Sequence, residues 1–257
     1  MVARMYELPA RSMRERVSPE EWEARVELAC AYRVAGHFGW YSQIFNHISY
    51  KIPGSNEEFL LNPFGFLYRE ITASSLVKID LEGNTLDGSP HGVIQAGWVI
   101  HSAIHKARPD VKCIIHTHSK DGIAVGAQKW GLLPVNMAAI LFHTRVSYHD
   151  YEGPSIETDE RERLAANLGM NNALVLRNHG LISCGPDIGD TMWLHHQLES
   201  ACTAQVAALS GGYENLYLPT PEIIEQASRR SNRPRTHEVN WAAHRRMADD
   251  LYPGYDQ

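Results

Sequence analysis

The sequence has few cysteines, no long apolar run and no excess of positive charge, and each absence excludes a class of protein. The four cysteines among its 257 residues form no Cys-x-x-Cys pair and stand in apolar surroundings, so we interpret them as reduced, mostly buried side chains. No stretch approaches the roughly 18 apolar residues that cross a bilayer. Residues 1–22 carry four arginines but no continuous apolar segment of the kind found in secretory signals. We therefore expect a cytoplasmic protein without a membrane partner.

The net charge of −6 and the pI near 6.1 argue against nucleic acid as a partner, because phosphate binding requires clustered Lys and Arg. The order of predicted strands and helices favours an α/β fold, a three-layer α/β/α domain with a mostly antiparallel central sheet. We place this domain at residues 19–212. An N-terminal extension at 1–18 would precede it, and a C-terminal tail at 213–257 would pack on the domain or on a neighbouring subunit.

Two histidines stand one residue apart at the end of an apolar run, in the segment Cys113-Ile114-Ile115-His116-Thr117-His118. Residues i and i+2 of an extended strand point to the same face, so both imidazoles can reach one point. His179 ends a second apolar run and is followed by Gly180. Three converging neutral imidazoles with an open fourth position are typical of a catalytic divalent-metal site.

Further motifs, taken with these histidines, carry a family resemblance. They are Thr72-Ala73-Ser74-Ser75-Leu76, Ala107-Arg108-Pro109-Asp110 and Arg177-Asn178-His179-Gly180. In this order they resemble the class II aldolase/adducin family, over about residues 20–210, and point to its adducin-like branch. The resemblance implies a class II aldolase-like fold and a homotetramer with active sites at subunit interfaces. It also implies a divalent metal, zinc first and Mn, Co or Fe as alternatives, held by His116, His118 and His179.

Two departures from the family's catalytic members concern the substrate and the base. Those members carry a glutamate, ligand and base, in a Ser-Ser-Glu segment; counting back nineteen residues from His116 gives Gly97 here. The family's Thr-Pro-Ser-Gly phosphate loop reads Asn62-Pro63-Phe64-Gly65, and its Gly-Asn-Ile-Ser loop reads Asn46-His47-Ile48-Ser49. Phosphate sites depend on hydroxyls and approachable backbone N–H groups. We therefore expect a small-molecule substrate without a phosphate ester, bound by Asn46, Ser49, Asn62 and Gly65.

Without that glutamate, aldol cleavage needs another proton carrier. The segment 142–152 offers His143, His149 and Tyr151 as candidate catalytic acids or bases. Arg145 in the same segment suits either a substrate carboxylate or a structural ion pair.

Two other groups receive structural interpretations first. His101 and His105, four residues apart on a predicted helix, are interpreted as a packed, hydrogen-bonded pair at the helix surface rather than as a second metal site. Several aromatic residues are interpreted as core and interface residues before pocket lining for a ring or acyl chain; they are Trp40, Tyr41, Phe64, Phe66 and Tyr68.

These observations predict a metal-dependent carbon–carbon lyase of aldolase type, acting on an unphosphorylated hydroxy-carbonyl or hydroxy-acid compound. The metal would polarise the substrate carbonyl and stabilise the negative charge that cleavage generates. The first alternative is a decarboxylase of a hydroxylated aromatic or keto acid on the same site, because loss of carbon dioxide needs no base at carbon. The second is a non-catalytic, adducin-like interaction domain, which Gly97 favours and the three intact ligands oppose.

Overall fold

Seven strands form a single sheet in the computed structural model, which describes residues 12–153, 159–230 and 236–257. They are β1 (His47–Lys51), β2 (Glu58–Leu61), β3 (Val77–Asp80), β4 (Cys113–Thr117), β5 (Val146–His149), β6 (Ala173–Leu176) and β7 (Gly180–Gly185). Their order is β3-β2-β1-β4-β7-β6-β5. Neighbouring strands are antiparallel except β5 and β6, so the sheet is mixed and mostly antiparallel.

Helices cover both faces of this sheet. They are α1 (Met13–Arg16), α2 (Pro19–His37), α3 (Gln95–Ala107), α4 (Lys120–Gly126), α5 (Met137–Leu141), α6 (Glu160–Leu168), α7 (Ile188–Leu209), α8 (Pro221–Arg230) and α9 (Thr236–Leu251). Helices α3 and α6 lie on one face, whereas α2, α4, α5 and α7 lie on the other. The predicted three-layer α/β/α architecture is therefore confirmed.

The strand alternation of β4 decides which face receives the site. Cys113 and Ile115 pack into the core beneath α2, whereas Ile114 packs into the core beneath α3 and α6. The next residues continue the alternation, so His116 faces the α3 side and Thr117 faces α7, where its Oγ1 donates to Glu199 Oε1 at 2.8 Å.

Local signals fix the helices that hold the sheet. Ser18 caps α2 by accepting a hydrogen bond from the Glu21 amide at 3.1 Å, and Pro19 follows at the first helical position. Helix α9 packs on α2 and α7. The last residues of the chain also contact the body, since the Ala73 amide donates to the Tyr255 carbonyl at 2.8 Å. None of the helices in the described residues combines the length and apolar character that a bilayer span requires.

One strand was not predicted from the sequence, and two predicted segments lie partly outside the described residues. The segment 142–152 contains β5, an edge strand that pairs in parallel with β6 and that its polar sequence does not predict. Most of the predicted extension at 1–18 falls outside the described residues, as do residues 231–235 of the predicted tail. The domain boundaries at 18/19 and 212/213 stay predictions.

Candidate metal and active site

The end of β4 aims His116 and His118 at one point. His116 is fully buried, and its Nδ1–H donates to the Leu181 carbonyl of β7 at 3.0 Å, which leaves Nε2 as the free lone pair. That Nε2 lies 2.9 Å from Nε2 of His118. Two nitrogens bound to one zinc at about 2.0–2.1 Å would lie about 3.3 Å apart at the tetrahedral angle, so the pair is close to ligand spacing.

The turn between β6 and β7 brings the third imidazole to the same point. Asn178 adopts a left-handed conformation with φ 58°, which turns the chain so that His179 faces β4. Gly180 then lies against the end of β4 so closely that a Cβ atom would overlap the Thr117 carbonyl oxygen. Only glycine permits this approach, which places the His179 ring centroid 4.7 Å from that of His118.

His116, His118 and His179, hereafter the histidine triad, are the only described group of three or more potential ligands that could hold a metal ion. Their candidate ligand nitrogens lie within 4.8 Å of one another. Burial lowers the pKa of all three, that of His118 to about 4, so each is neutral at pH 7 and has a lone pair for a metal. His116 is buried whereas His118 and His179 are partly exposed, so the site opens on one side. This donor set fits a divalent ion with an open coordination position.

A second cluster, hereafter the histidine row, lies beside the triad between β1 and α3. His47 Nδ1 contacts His101 Nε2 at 2.9 Å, His101 Nδ1 contacts Ser49 Oγ at 2.5 Å, and Ser49 Oγ contacts His105 Nε2 at 2.9 Å. All four side chains are at most 1% exposed. His101 and His105 are therefore packed and hydrogen-bonded as predicted, although both point into the core and Ser49 bridges them.

His47 occupies the space next to the position of the missing glutamate. A Cβ atom built on Gly97 would lie 3.0 Å from His47 Cδ2 and 2.9 Å from Ile94 Cγ2. The His47 ring also lies beside the triad, with its centroid 5.0 Å from that of His116. His47 is not among the site residues that the sequence predicts. The sequence contained a sign of its role, because His47 and Gly97 both depart from the family pattern.

The predicted substrate-binding residues are not equivalent in the structure. Asn46 is buried, its Oδ1 accepts from the Ser42 amide, and its Nδ2 has no hydrogen-bond partner. Asn62 is buried as well, and its Oδ1 accepts from the Tyr32 hydroxyl at 2.8 Å. Gly65 lies in an exposed turn with φ 93°. Ser49 belongs to the histidine row, and exposed Arg145 immediately precedes β5.

The three candidate proton carriers also lie in different surroundings. Tyr151 is 56% exposed, and its ring stands edge-on to His179 with the centroids 6.4 Å apart. His149 is buried at the end of β5, where its Nδ1 accepts from Asn167 at 2.8 Å and its Nε2 lies 3.3 Å from Glu160. His143 lies beside α8, with its Nε2 3.8 Å from a Glu225 oxygen.

A cavity of about 720 Å³ opens beside His118. Trp40 and Tyr41 form an aromatic wall, and Lys120 and Glu199 contribute charged groups. A substrate bound there would therefore meet both apolar and charged side chains next to one of the triad's imidazoles.

Comparison with known proteins agrees with this geometry. The sequence profile of the class II aldolase and adducin N-terminal domain matches residues 26–206. A Pseudomonas aeruginosa protein named as a candidate class 2 aldolase is 44% identical over 98% of this chain and 99% of its own length. Alpha-adducin of Rattus norvegicus is 45% identical over 82% of this chain and 29% of that longer protein. L-fuculose 1-phosphate aldolase from Glaciozyma antarctica superimposes with a TM-score of 0.80 at 25% identity, over 95% of this chain and 94% of that one. The chain therefore belongs to the class II aldolase and adducin family.

Proposed function

We propose that this protein is a metal-dependent carbon–carbon lyase of aldolase type, acting on an unphosphorylated hydroxy-carbonyl or hydroxy-acid compound. The observation that carries the proposal is the histidine triad, in which three neutral imidazoles converge beside an open cavity. The triad would hold zinc or Fe, ions that imidazole suits, with Mn or Co as the other ions that the family resemblance allows. When bound, such an ion supplies the positive charge that stabilises a developing oxyanion.

The surrounding residues orient the triad and bind the substrate. The Leu181 carbonyl fixes the tautomer and ring orientation of His116, a role that outer partners of metal-binding histidines usually play. The buried and unpartnered Nδ2 of Asn46 provides a donor for a substrate hydroxyl or carboxylate oxygen. The loop that carries Asn46 lacks the glycine of the family's Gly-Asn-Ile-Ser loop, which supports a substrate without a phosphate ester.

Tyr151 is the proposed proton carrier among the three candidates. It is exposed and stands beside His179, whereas both ring nitrogens of His149 already contact side chains of α6. His143 contacts Glu225 of α8 rather than the triad. We retain a cytoplasmic homotetramer with sites at subunit interfaces as part of the proposal, because the family resemblance implies the tetramer.

Two other functions each have one supporting observation. Decarboxylation is supported by Gly97, because no carboxylate in the described residues joins the triad's ligand group and loss of carbon dioxide needs no base at carbon. A non-catalytic interaction domain is supported by the 45% identity to alpha-adducin.

Metal content and product identity separate these functions. We would measure metals by elemental analysis in the untagged wild-type protein, in His116→Ala, and in His91→Gln as a control histidine outside the triad. We expect about one ion per chain in wild type and control, and none in His116→Ala. Hydroxy-carbonyl and hydroxy-acid compounds would then be screened. Aldehyde release supports the aldolase, carbon dioxide release supports the decarboxylase, and absence of metal from all three proteins supports the interaction domain.

A further inference from the structure

A smaller cavity of about 220 Å³ lies near the C-terminal end of α2, and no residue of the histidine triad lines it. Its lining includes Arg33, Tyr41, Leu67, Tyr68, Arg69 and Tyr252. None of the described residues that line it is Asp or Glu. The cavity therefore combines aromatic walls with two arginines and no carboxylate.

Arg33 is a buried cation without an anionic partner among the described residues. It is 8% exposed, and its NH1 donates to the Tyr68 carbonyl at 3.1 Å. Within the described part of the chain, no carboxylate lies within 4.0 Å of its guanidinium. Burial lowers the pKa of Arg33, as expected for an uncompensated cation, although a guanidinium stays charged at neutral pH. A buried charge of this kind is costly unless something pairs with it.

Arg25, two turns earlier on α2, shows what a fully paired arginine looks like here. Its guanidinium lies 2.9 Å from Glu21 and 2.8 Å from Asp87, and it donates to the Leu76 carbonyl at 2.8 Å. Both arginines belong to the same helix and both are buried. The helix therefore holds one arginine that the fold completes and one that it does not.

Tyr68 provides a second, independent sign of an absent partner. Its hydroxyl is buried and has no hydrogen-bond partner. Tyr32, whose ring lies edge-on with a centroid separation of 4.8 Å, has a fully used hydroxyl that donates to the Ile48 carbonyl at 2.6 Å or to Asn62 at 2.8 Å. Buried hydroxyls are nearly always satisfied, so an unpartnered one beside a cavity points to a ligand.

We propose that this cavity is a binding site for a small organic carboxylate, separate from the metal site. Arg33 would bind the carboxylate through its planar fork, with Arg69 adding positive charge at the exposed side and the Tyr68 hydroxyl donating a further hydrogen bond. The rings of Tyr41 and Tyr252 would cover the body of the ligand. The volume suits a compact molecule, since a cavity of about 150 Å³ already holds benzene. Tyr41 also lines the larger cavity beside His118, so the two sites share one wall.

Sodium benzoate is the probe, and benzamide is its neutral counterpart of nearly the same shape. Isothermal titration calorimetry on the full-length protein should show saturable binding of benzoate and at least about tenfold weaker binding of benzamide, because the charge-assisted contact is lost. Arg33→Met should weaken benzoate binding by at least about tenfold for the same reason. His118→Ala should leave benzoate binding unchanged, which distinguishes this cavity from carboxylate binding at the metal.

Tyrosine variants provide a test that does not depend on arginine. Tyr68→Phe should weaken benzoate binding and leave the melting temperature of the unliganded protein equal or higher, because an unsatisfied buried hydroxyl is removed. The matched control Tyr32→Phe should lower the melting temperature, because its hydroxyl is bonded. Absence of benzoate binding in wild type, equal binding of benzamide, or loss of binding in His118→Ala but not in Arg33→Met would each overturn the proposal.

Discussion

The histidine triad and the histidine row lie side by side on the same face of the sheet, and they differ in what completes them. Each imidazole of the row contacts the next polar side chain, and all of them are enclosed by β1 and α3. In the triad, two ligand nitrogens face one another at 2.9 Å, and two of the rings are partly exposed. One buried nitrogen of the row, His105 Nδ1, has no hydrogen-bond partner. Paired polar groups contribute to the fold, whereas lone pairs that converge and stay open suit a ligand. We therefore expect the same residue type to have two roles a few ångströms apart.

Removing a triad imidazole should give the largest effect on function. We expect His118→Ala to lose its metal and to lower activity by more than the roughly 100-fold typical of losing an outer partner of a metal ligand. Its unliganded stability should change by less than about 1 kcal/mol, because the side chain is partly exposed. Elemental analysis, turnover measurements and urea unfolding of the metal-free protein check the three parts. Full metal content in this variant would show that the triad does not hold the ion.

Removing a row imidazole should give the opposite pattern. His105 is 1% exposed, and its Nε2 contacts Ser49 Oγ. His105→Ala should therefore lower the free energy of unfolding by about 2–4 kcal/mol, through a cavity and a lost hydrogen bond, while metal content stays at about one ion per chain. Urea unfolding measures the free energy of unfolding, and elemental analysis measures the metal content. His91→Gln, at a partly exposed histidine, is the control. Unchanged stability would mean that the row contributes nothing to the fold.

The triad could be predicted from the sequence because part of its information is local and the family resemblance supplies the third ligand. The i, i+2 spacing of His116 and His118 sets their common face, and Gly180 marks the turn that aligns the third histidine. The layered α/β/α fold follows similarly from alternating strands and capped helices, and the helix predicted to carry His101 and His105 is α3.

The histidine row could not be predicted from the sequence in the same way, because it depends on how a helix packs across a strand that is distant in sequence. His47 and Ser49 share one face of β1, and the i, i+4 pair His101 and His105 shares one face of α3. Each pattern is visible alone, but neither states that the two faces meet. Strand β5 was missed for a related reason, since its pairing with β6 is parallel and its sequence is polar.

The close packing of α3 against His47 can be tested by a substitution at Gly97. Alanine is favoured over glycine in a helix by about 1 kcal/mol, but its Cβ atom would lie 3.0 Å from His47 Cδ2. We expect Gly97→Ala to lose about 1–3 kcal/mol of stability by overpacking. Combining it with His47→Asn should recover part of that loss, which urea unfolding of the four proteins in the cycle would measure.

Gly36→Ala is the matched control for this cycle. Gly36 is also helical, and its Cβ atom would meet Tyr68 Cβ at 3.6 Å, an ordinary contact. This variant should be neutral or more stable by up to about 1 kcal/mol. Additive effects of Gly97→Ala and His47→Asn would contradict the idea that His47 fills the space beside the missing glutamate.

The smallest expected difference concerns pH. Burial is the main cause that lowers the pKa of His101 and His105, the latter to about 3, with charge interactions from His105 on His101 and from Lys51 on His105 in the same direction. In the unfolded chain both would titrate near 6.5. Between these values the unfolded state binds more protons, so the stability present above about pH 6.5 should fall progressively towards pH 3.

His105→Gln isolates that contribution, because it removes one titrating group and keeps a side chain that can hydrogen-bond to Ser49 Oγ. Metal-free protein is required, since the triad also titrates in this range and would release its ion on acidification. The slope of unfolding free energy against pH should be shallower in the variant by up to about 1.4 kcal/mol per pH unit, the value for one proton. Identical slopes in the two proteins would mean that His105 takes up its proton while folded. The row would then be accessible to protons from the solvent, and its description as an enclosed cluster would fail.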